Sequence, residues 1–289
     1  MSIKKILVPL DGSDANNIVL DTALVVAKRF GAHIEALHVV HRPEDATQFL
    51  FEPISRKLRE TVAQATEKAG LERAAAVREM FGNFCDRNDV EILEHPTPQS
   101  GVTAAWHQEF GRTSEVLVRH GRVADVIATA EPTVHESVVR RSPIGENLEA
   151  VLLGCGRPVL IVPPNWKARR VERAAFGWNE SLEASRALAM AMPWLEQMSA
   201  VTIIISKKRE ANTRRLLSYL SLHGVSADIQ FLDKRVDSVG ESILNICAEC
   251  DIELLVVGGF SHARARQLMF GGVTQHLLKH SNIITVMVH

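Results

Sequence analysis

The stretch DIELLVVGGFSHARARQLMFGGVTQHLLKHSNIITVMV, residues 251–288, decides the fold of this chain. An apolar run, Leu254–Val257, leads into the glycine pair Gly258-Gly259, and a basic loop follows. The glycine pair Gly271-Gly272 then precedes a stretch of helical character and a β-rich run that ends at Val288. This order of segments predicts a strand, a loop, a helix and a second strand, which is the unit of a parallel sheet.

The glycines of this stretch indicate an anion-binding loop. Glycine at the end of a strand lets the backbone turn with positive φ. A helix that starts after Gly271-Gly272 presents N–H groups that have no partner within the helix, and such groups suit an anion such as phosphate.

The spacing Gly258-x2-Ser261-x9-Gly271-Gly272 resembles the loop of the universal stress protein superfamily, whose nucleotide-binding members carry G-x2-G-x9-G-[ST] between the fourth and fifth strands. Ser261 replaces the second glycine, and Gly272 replaces the closing hydroxyl residue. The missing hydroxyl removes one hydrogen bond, worth roughly 0.5–1.5 kcal/mol. The Cβ of Ser261 is the larger departure, because it makes a left-handed backbone costly. The resemblance therefore implies a weakened site for an adenine nucleotide, ATP or AMP.

Composition bounds the class of protein. The 289 residues are 46% hydrophobic and 23% charged, which is enough to fill two ordinary cores. The net charge of −1 disfavours binding to nucleic acid or to an anionic membrane. Four cysteines are too few for a disulfide scaffold, and no apolar run approaches the ~20 residues that span a bilayer. We expect a soluble protein of the cytoplasm.

The chain carries the same order of elements twice. Short apolar runs at residues 3–10, 33–40, 102–107, 125–130 and 158–162 predict five strands in the first half. Runs at residues 173–178, 201–206, 227–232, 254–257 and 283–288 predict five more in the second half. Helical spacing fills the intervals, including a long charged helix over residues 55–85 in which Gly70 and Gly82 allow a break. We divide the chain into a domain of residues 1–165 and a domain of residues 166–289.

The predicted fold is α/β, with two tandem domains that each hold a mainly parallel five-stranded sheet with helices on both faces. By resemblance this is the adenine-nucleotide alpha-hydrolase-like fold, packed as an intramolecular pseudo-dimer in which strands Val159–Val162 and Ile284–Val288 face each other. Further association into a homodimer stays open. In the first domain Glu131-Pro132-Thr133 stands where the glycine loop would be, so we expect its phosphate loop to be degenerate.

The candidate ligand contacts fall at the ends of strands. When Asp11 is laid on Asn179, Ser13 falls on Ser181, and both sites follow a first strand, where an open α/β sheet binds its ligand. The resemblance places a polar residue beside adenine here, and the same residues also suit a helix cap. In the second domain the predicted nucleotide contacts are Asn179, Ile205, Gly258, Ser261, Gly271 and Gly272, with Arg264 and Arg266 as secondary phosphate ligands, and in the first domain Asp11.

The resemblance implies a stress-response binding and regulatory protein rather than an enzyme. The sequence contains no nucleophile elbow, Walker loop, Rossmann fingerprint or H-E-x-x-H motif. No catalytic residue or metal ligand is predicted, and Cys247-x2-Cys250 has no second pair and is interpreted as two packed helix cysteines. Two alternatives stay open: slow nucleotide hydrolysis or nucleotidyl transfer at the same loop, and a nucleotide-free scaffold for protein partners.

Overall fold

The computed structural model describes residues 2–41, 56–97, 101–131, 145–233, 235–236, 238–259 and 272–289, with the backbone alone for 56–59. The strands of the first half are β1 (Lys5–Pro9), β2 (His33–Val40), β3 (Glu91–Ile92), β4 (Thr103–Phe110), β5 (Val126–Ala130) and β6 (Val159–Val162). Its helices are α1 (Ala15–Phe30), α2 (Arg56–Asn88), α3 (Thr113–Gly121) and α4 (Glu146–Gly154).

The second half follows the same plan. Its strands are β7 (Arg173–Trp178), β8 (Ala200–Ile205), β9 (Ala227–Phe231), β10 (Leu254–Gly258) and β11 (Ile284–Val288). Its helices are α5 (Leu182–Leu195), α6 (Thr213–Leu222), α7 (Val239–Glu249) and α8 (Gly272–His280), and a 3-10 helix, Lys207–Asn212, precedes α6.

All the strands belong to one continuous sheet in the order β3-β4-β2-β1-β5-β6-β11-β10-β7-β8-β9. Neighbouring strands are parallel except at the centre, where β6 and β11 are antiparallel, with Leu160 paired to Val286. The predicted two-domain α/β fold and the facing last strands are confirmed, and the two mainly parallel sheets join through that central pair. Strands such as β1, β5 and β11 are mostly apolar and buried because helices cover both faces of the sheet.

In each half the first strand lies between the second and the next-to-last strand of its own half. β1 lies between β2 and β5, and β7 lies between β8 and β10. The connections after the first and next-to-last strands leave in opposite directions, which opens a crevice at the carboxyl ends of these strands. The hydrogen bonds from the Glu131 N–H to the Val162 carbonyl, 2.9 Å, and from the Gly259 N–H to the Val288 carbonyl, 2.7 Å, mark equivalent positions in the two halves.

The two halves share a hydrophobic core across the central strands. Residues of α1, α5, β6 and β11 pack in one buried cluster, and the ring of Phe30 meets the edge of Trp194 with centroids 6.1 Å apart. The guanidinium of Arg29 donates to the carbonyls of Val171 and Gln197 and to the Gln197 side chain. Apolar packing and polar contacts therefore both join the halves.

Two elements were not predicted, and a helix break that the sequence allowed does not occur. Strand β3 and the 3-10 helix were not predicted, because both lie in short polar segments without a clear period. Helix α2 runs through Gly70 and Gly82 without a break. A Cβ on Gly70 would lie 3.1 Å from the Val40 side chain, so this glycine serves close packing rather than a helix end. Gly31 does end α1, in the left-handed conformation with φ 61°.

The division at residues 165 and 166 stays a prediction. Both phosphate-loop segments lie largely outside the described residues, which exclude 132–144 in the first half and 260–271 in the second. Within the described ranges, no helix has the length and apolar character needed to cross a bilayer.

Candidate functional site

A cavity of about 600 Å³ opens at the carboxyl ends of β1, β2 and β5, in the crevice of the first half. Helix α2 forms one wall of this cavity with small side chains, which leaves room above the strand ends. The lining comprises Pro9, Leu10, Asp11, Ser13, Asn16, Leu37, His38, Val39, Val40, His41, Ala65, Thr66, Ala69, Gly70, Arg73, Thr113, Leu117, Thr129, Ala130 and Asn147. We call it the first-half cavity.

Asp11 is held at the mouth of the first-half cavity by its own turn. Its Oδ1 accepts from the Ser13 N–H and from Asn16 Nδ2, both at 2.9 Å, and the buried Asn16 in turn accepts from the Gly12 N–H at 2.8 Å. Burial alone would raise the pKa of the Asp11 carboxyl, but the hydrogen bonds from Ser13 and Asn16 outweigh burial and lower it. Asp11 is therefore ionised at neutral pH.

Arg73 brings a positive charge to the same mouth. The side-chain stem of Arg73 crosses Gly12, whose φ is +85°. A Cβ added to Gly12 would lie 3.0 Å from the Val77 side chain and 3.4 Å from the Arg73 Cγ. Glycine is required at position 12 by both the backbone conformation and this close approach. Arg73 is exposed and lines the cavity, and its guanidinium has no ion pair among the described residues. It is free to bind an anion.

The floor of the first-half cavity is formed by apolar side chains together with the buried His38. Leu10, Leu37 and Val40 are each at most 3% exposed, and so is His38. The Nδ1 of His38 lies 2.7 Å from the Leu10 carbonyl, which can only accept, so Nδ1 carries the proton and Nε2 carries a lone pair in the neutral ring. The ring also stacks on Trp106, 6.1 Å between centroids.

In the second half, Asn179 and Ser181 serve the turn and the helix cap. The Oδ1 of Asn179 accepts from the Ser181 N–H at 3.0 Å, as Asp11 does from Ser13, and Ser181 Oγ caps α5 by accepting from the Ala184 N–H at 3.1 Å. In the first half, Asp14 is the N-cap of α1 and makes no side-chain cap hydrogen bond. Both polar residues predicted to contact adenine thus have a structural role in their turns.

Glu180 and the 3-10 helix lie over the end of β7. Glu180 adopts φ +62°, the left-handed region that Gly12 occupies in the first half. Its carboxylate accepts from Asn212 Nδ2 at 2.7 Å and pairs with Arg209 at 3.3 Å, and Arg209 also donates to the Asn179 carbonyl. These contacts support a backbone conformation that costs about 1–2 kcal/mol in a residue with a Cβ.

The remaining predicted contacts of the second half divide into three groups. The Ile205 side chain is fully buried and its carbonyl accepts from the Leu232 N–H, so it belongs to the core. A Cβ on Gly258 would lie 2.6 Å from the Ala184 nitrogen, so this glycine lets α5 pack on β10, and Gly272 begins α8 in open space. Ser261, Arg264, Arg266 and Gly271 lie outside the described residues.

Sequence reasoning did not find His38 or Arg73. His38 stands at the end of an apolar strand, which could have signalled a strand-end site, whereas Arg73 is one of many charges on a solvated helix. Only the packing of α2 against the β1–α1 turn brings Arg73 beside Asp11, and no local pattern records that packing.

The described residues offer no metal centre: none of their His, Cys, Asp and Glu side chains form a group of three or more with suitable geometry. Cys247 is buried, and burial together with the neighbouring Cys250 raises the pKa of its thiol to about 12. A thiol that stays protonated is a poor metal ligand and a poor nucleophile. The pair is a packing feature of α7.

The family model described as "Universal stress protein family" matches residues 2–163 and 184–289, which is most of the chain. The chain belongs to the universal stress protein family. The universal stress protein MJ0531 of Methanocaldococcus jannaschii is 28% identical over 159 residues, covering 55% of this chain and 81% of that relative.

Two solved structures share the whole architecture. The crystal structure of a universal stress protein from Archaeoglobus fulgidus superimposes with a TM-score of 0.68 at 16% identity, covering 98% of this chain and 97% of that one. The crystal structure of a functionally unknown protein, PA1789, from Pseudomonas aeruginosa gives a TM-score of 0.58 at 11% identity, covering 99% and 92%. At these identities the likeness concerns the fold, and it extends over both halves of this universal stress protein.

Proposed function

We propose that this universal stress protein is a binding and regulatory protein of the stress response that holds an adenine nucleotide, ATP or AMP, without a dedicated turnover reaction. The observation that carries the proposal is the first-half cavity, which lies at a topological switch point and has an apolar floor and a charged mouth. An apolar floor buries a flat base, and a guanidinium at the mouth binds phosphate oxygens.

The first half is the better supported place for this nucleotide. Asp11, ionised and lining the cavity, suits a ribose hydroxyl or a base amino group, and Arg73 suits the phosphates. The loop from Gly258 to Gly272, with Asn179 beside it, remains the second proposed site because its glycine spacing matches the family loop. Two sites in one chain would follow from its two similar halves.

Isothermal titration calorimetry of ATP and AMP into the full chain tests the proposal. We expect heat and saturation for the wild type, and at least a tenfold loss of affinity in Arg73→Ala, since a charged hydrogen bond contributes roughly 1.5–3 kcal/mol. Arg78→Ala is the matched control, because Arg78 is an exposed arginine of the same helix that does not line the cavity. Absence of heat at high micromolar protein removes the nucleotide proposal and leaves the fold unaffected.

The same samples separate binding from turnover. Phosphate released steadily from ATP by the wild type, and lost in Gly271→Asp, would replace the binding role by slow hydrolysis at the second-half loop. A protein that binds no nucleotide would be assigned to the scaffold class.

A further inference from the structure

We infer that His38 is a specificity-determining residue of the first-half cavity: its Nε2 accepts a hydrogen bond from the exocyclic amino group of the base, so the cavity selects adenine over a 6-oxopurine. This inference rests on the proposed function and names the feature of the ligand that the site reads.

The tautomer of His38 follows from its hydrogen bond. Because the Leu10 carbonyl accepts at 2.7 Å from Nδ1, the neutral imidazole places its lone pair on Nε2. Stacking on Trp106 helps to hold the ring in this orientation. The acceptor is therefore fixed before any ligand arrives, which is the condition for selective recognition.

The Nε2 of His38 is open to the cavity. No described residue donates a hydrogen bond to it. Among the described residues, Trp166 Nε1 is a fully buried side-chain atom that has no hydrogen bond, and the Nε2 of His38 is not in that class. This nitrogen is therefore not fully buried. His38 is 3% exposed and lines the cavity, so the small area that it exposes includes Nε2. A ligand that fills the cavity without donating there would leave this atom buried and unpaired.

The charges around the cavity orient the ligand. A phosphate placed against the floor would bring its oxygens to the lone pair of His38 and to the apolar side chains of Leu10 and Leu37. The lone pair repels these oxygens and the leucines cannot replace their lost water, so the floor disfavours a phosphate. Arg73 lines the cavity, with its side-chain stem beside Gly12 at the mouth. The base therefore points inward to His38, and the phosphates point outward to Arg73.

Adenine and hypoxanthine differ at the position that this orientation exposes. Adenine offers an amino group, which donates, whereas the 6-oxo group of hypoxanthine only accepts and would face the Nε2 lone pair. Hypoxanthine can offer its N1–H only if the base shifts within the cavity. Leaving a buried acceptor unpaired costs roughly 1–3 kcal/mol, which corresponds to a preference of about 5- to 150-fold for AMP over IMP.

The test compares AMP with IMP by calorimetry on the full chain. We expect the wild type to prefer AMP, and His38→Leu to lose that preference by weakening AMP while leaving the affinity for IMP unchanged. Arg73→Ala is the matched control, and we expect it to weaken both nucleotides by the same factor. Equal affinities in the wild type, equal losses of both nucleotides in His38→Leu, or AMP binding untouched by Arg73→Ala would each overturn the inference.

A second measurement needs no variant at position 38. In wild-type protein with ¹⁵N-labelled histidine, AMP should shift the Nε2 resonance of His38, as expected for an unprotonated nitrogen that accepts a hydrogen bond, and IMP should not. An Nε2 resonance that AMP leaves unchanged overturns the inference. If neither nucleotide binds, the proposed function fails as well; if both bind equally, the inference about His38 fails alone.

Discussion

At the scale of single residues, Gly258 illustrates how a glycine of a ligand loop also serves packing. Gly258 is equivalent to Ala130 in the first half. The residue after each of them, Gly259 or Glu131, donates its backbone N–H to the last strand of its own half. On Gly258 a Cβ would lie 2.6 Å from the Ala184 nitrogen and 2.7 Å from the Glu183 carbonyl carbon, whereas the first half has an alanine at the equivalent position. The packing of α5 on β10 therefore requires glycine, whatever the loop binds.

Gly258→Ala should destabilise the protein by about 1–3 kcal/mol, because backbone atoms of α5 must move to admit the methyl group. Urea unfolding monitored by circular dichroism measures the change. Gly259→Ala is the matched control, since a Cβ there would lie 3.7 Å from the Val288 carbonyl oxygen, an ordinary contact. Equal stability of the two variants would contradict the prediction, because it would show that the backbone of α5 moves aside without lowering the free energy of unfolding.

At the scale of elements, helix α3 is tied to the sheet by a buried carboxylate. Glu35 of β2 pairs with Lys5 of β1 at 2.5 Å and with His120 of α3 at 3.0 Å. His120 also contacts Glu109 of β4 at 3.3 Å, and His107 lies 3.6 Å from Glu35. The cluster joins one helix to three strands, so its protonation state governs how firmly α3 is held.

The pKa values of this cluster predict a window of greatest stability. Burial alone would raise the pKa of Glu35, but hydrogen bonds from His120 and Lys5 lower it from 4.5 to about 2. The hydrogen bond to Glu35 raises the pKa of His120 above 6.5 despite burial. The contribution of Glu35 is present above pH 4.5 and is lost as the pH falls toward 2, and that of His120 is present below pH 6.5 and is lost as the pH rises through its folded pKa.

Glu35→Gln should remove the acid slope, reduce the slope of His120, which keeps its contact with Glu109, and cost about 3 kcal/mol near pH 5.5, because it leaves Lys5 and His120 without their buried partner. Urea unfolding at a series of pH values checks this expectation. Glu109→Gln provides the control: its partly exposed carboxylate should contribute no more than ~1 kcal/mol. A wild-type profile that stays flat between pH 3 and 8 would contradict the prediction.

At the scale of the whole molecule, the two halves should unfold together. They share the antiparallel β6–β11 pair, a common apolar core and the hydrogen bonds of Arg29. Arg29 Nη1 donates to the Val171 carbonyl at 2.7 Å, and Nε donates to Gln197 at 2.7 Å. These bonds reach from α1 of the first half to residues that flank β7 and follow α5 in the second.

Arg29→Ala should lower the free energy of unfolding by about 1–3 kcal/mol and loosen the coupling between the halves, because it leaves partly buried carbonyls unpaired. Tryptophan fluorescence should then change in urea before circular dichroism does, as three of the four tryptophans, Trp166, Trp178 and Trp194, lie in the second half. Lys28→Ala, at an exposed neighbouring position, should leave a single coincident transition. Coincident transitions and unchanged stability in Arg29→Ala would mean that apolar packing alone couples the halves.

The amino-acid sequence by itself determined the order of the elements, the repeated half and the family. Strands such as Leu254–Gly258 and Ile284–Val288 are buried on both faces of the sheet, so each appears in the sequence as a mainly apolar run that predicts a strand. The same holds for the Asp11 and Asn179 turns, whose side chains bond to backbone only two residues away. Short-range constraints of this kind depend on neighbours along the chain.

Only the tertiary structure decided which side chains line the first-half cavity. Arg73 lies beside Gly12 because α2 crosses the β1–α1 turn there, and His38 has its lone pair on Nε2 because the carbonyl of Leu10, the residue after β1, accepts from Nδ1. Gly258 looked like a ligand residue, yet its neighbour is the backbone of α5. Each of these contacts joins elements that are distant along the chain, and such contacts are set by how whole helices and strands pack rather than by local pattern.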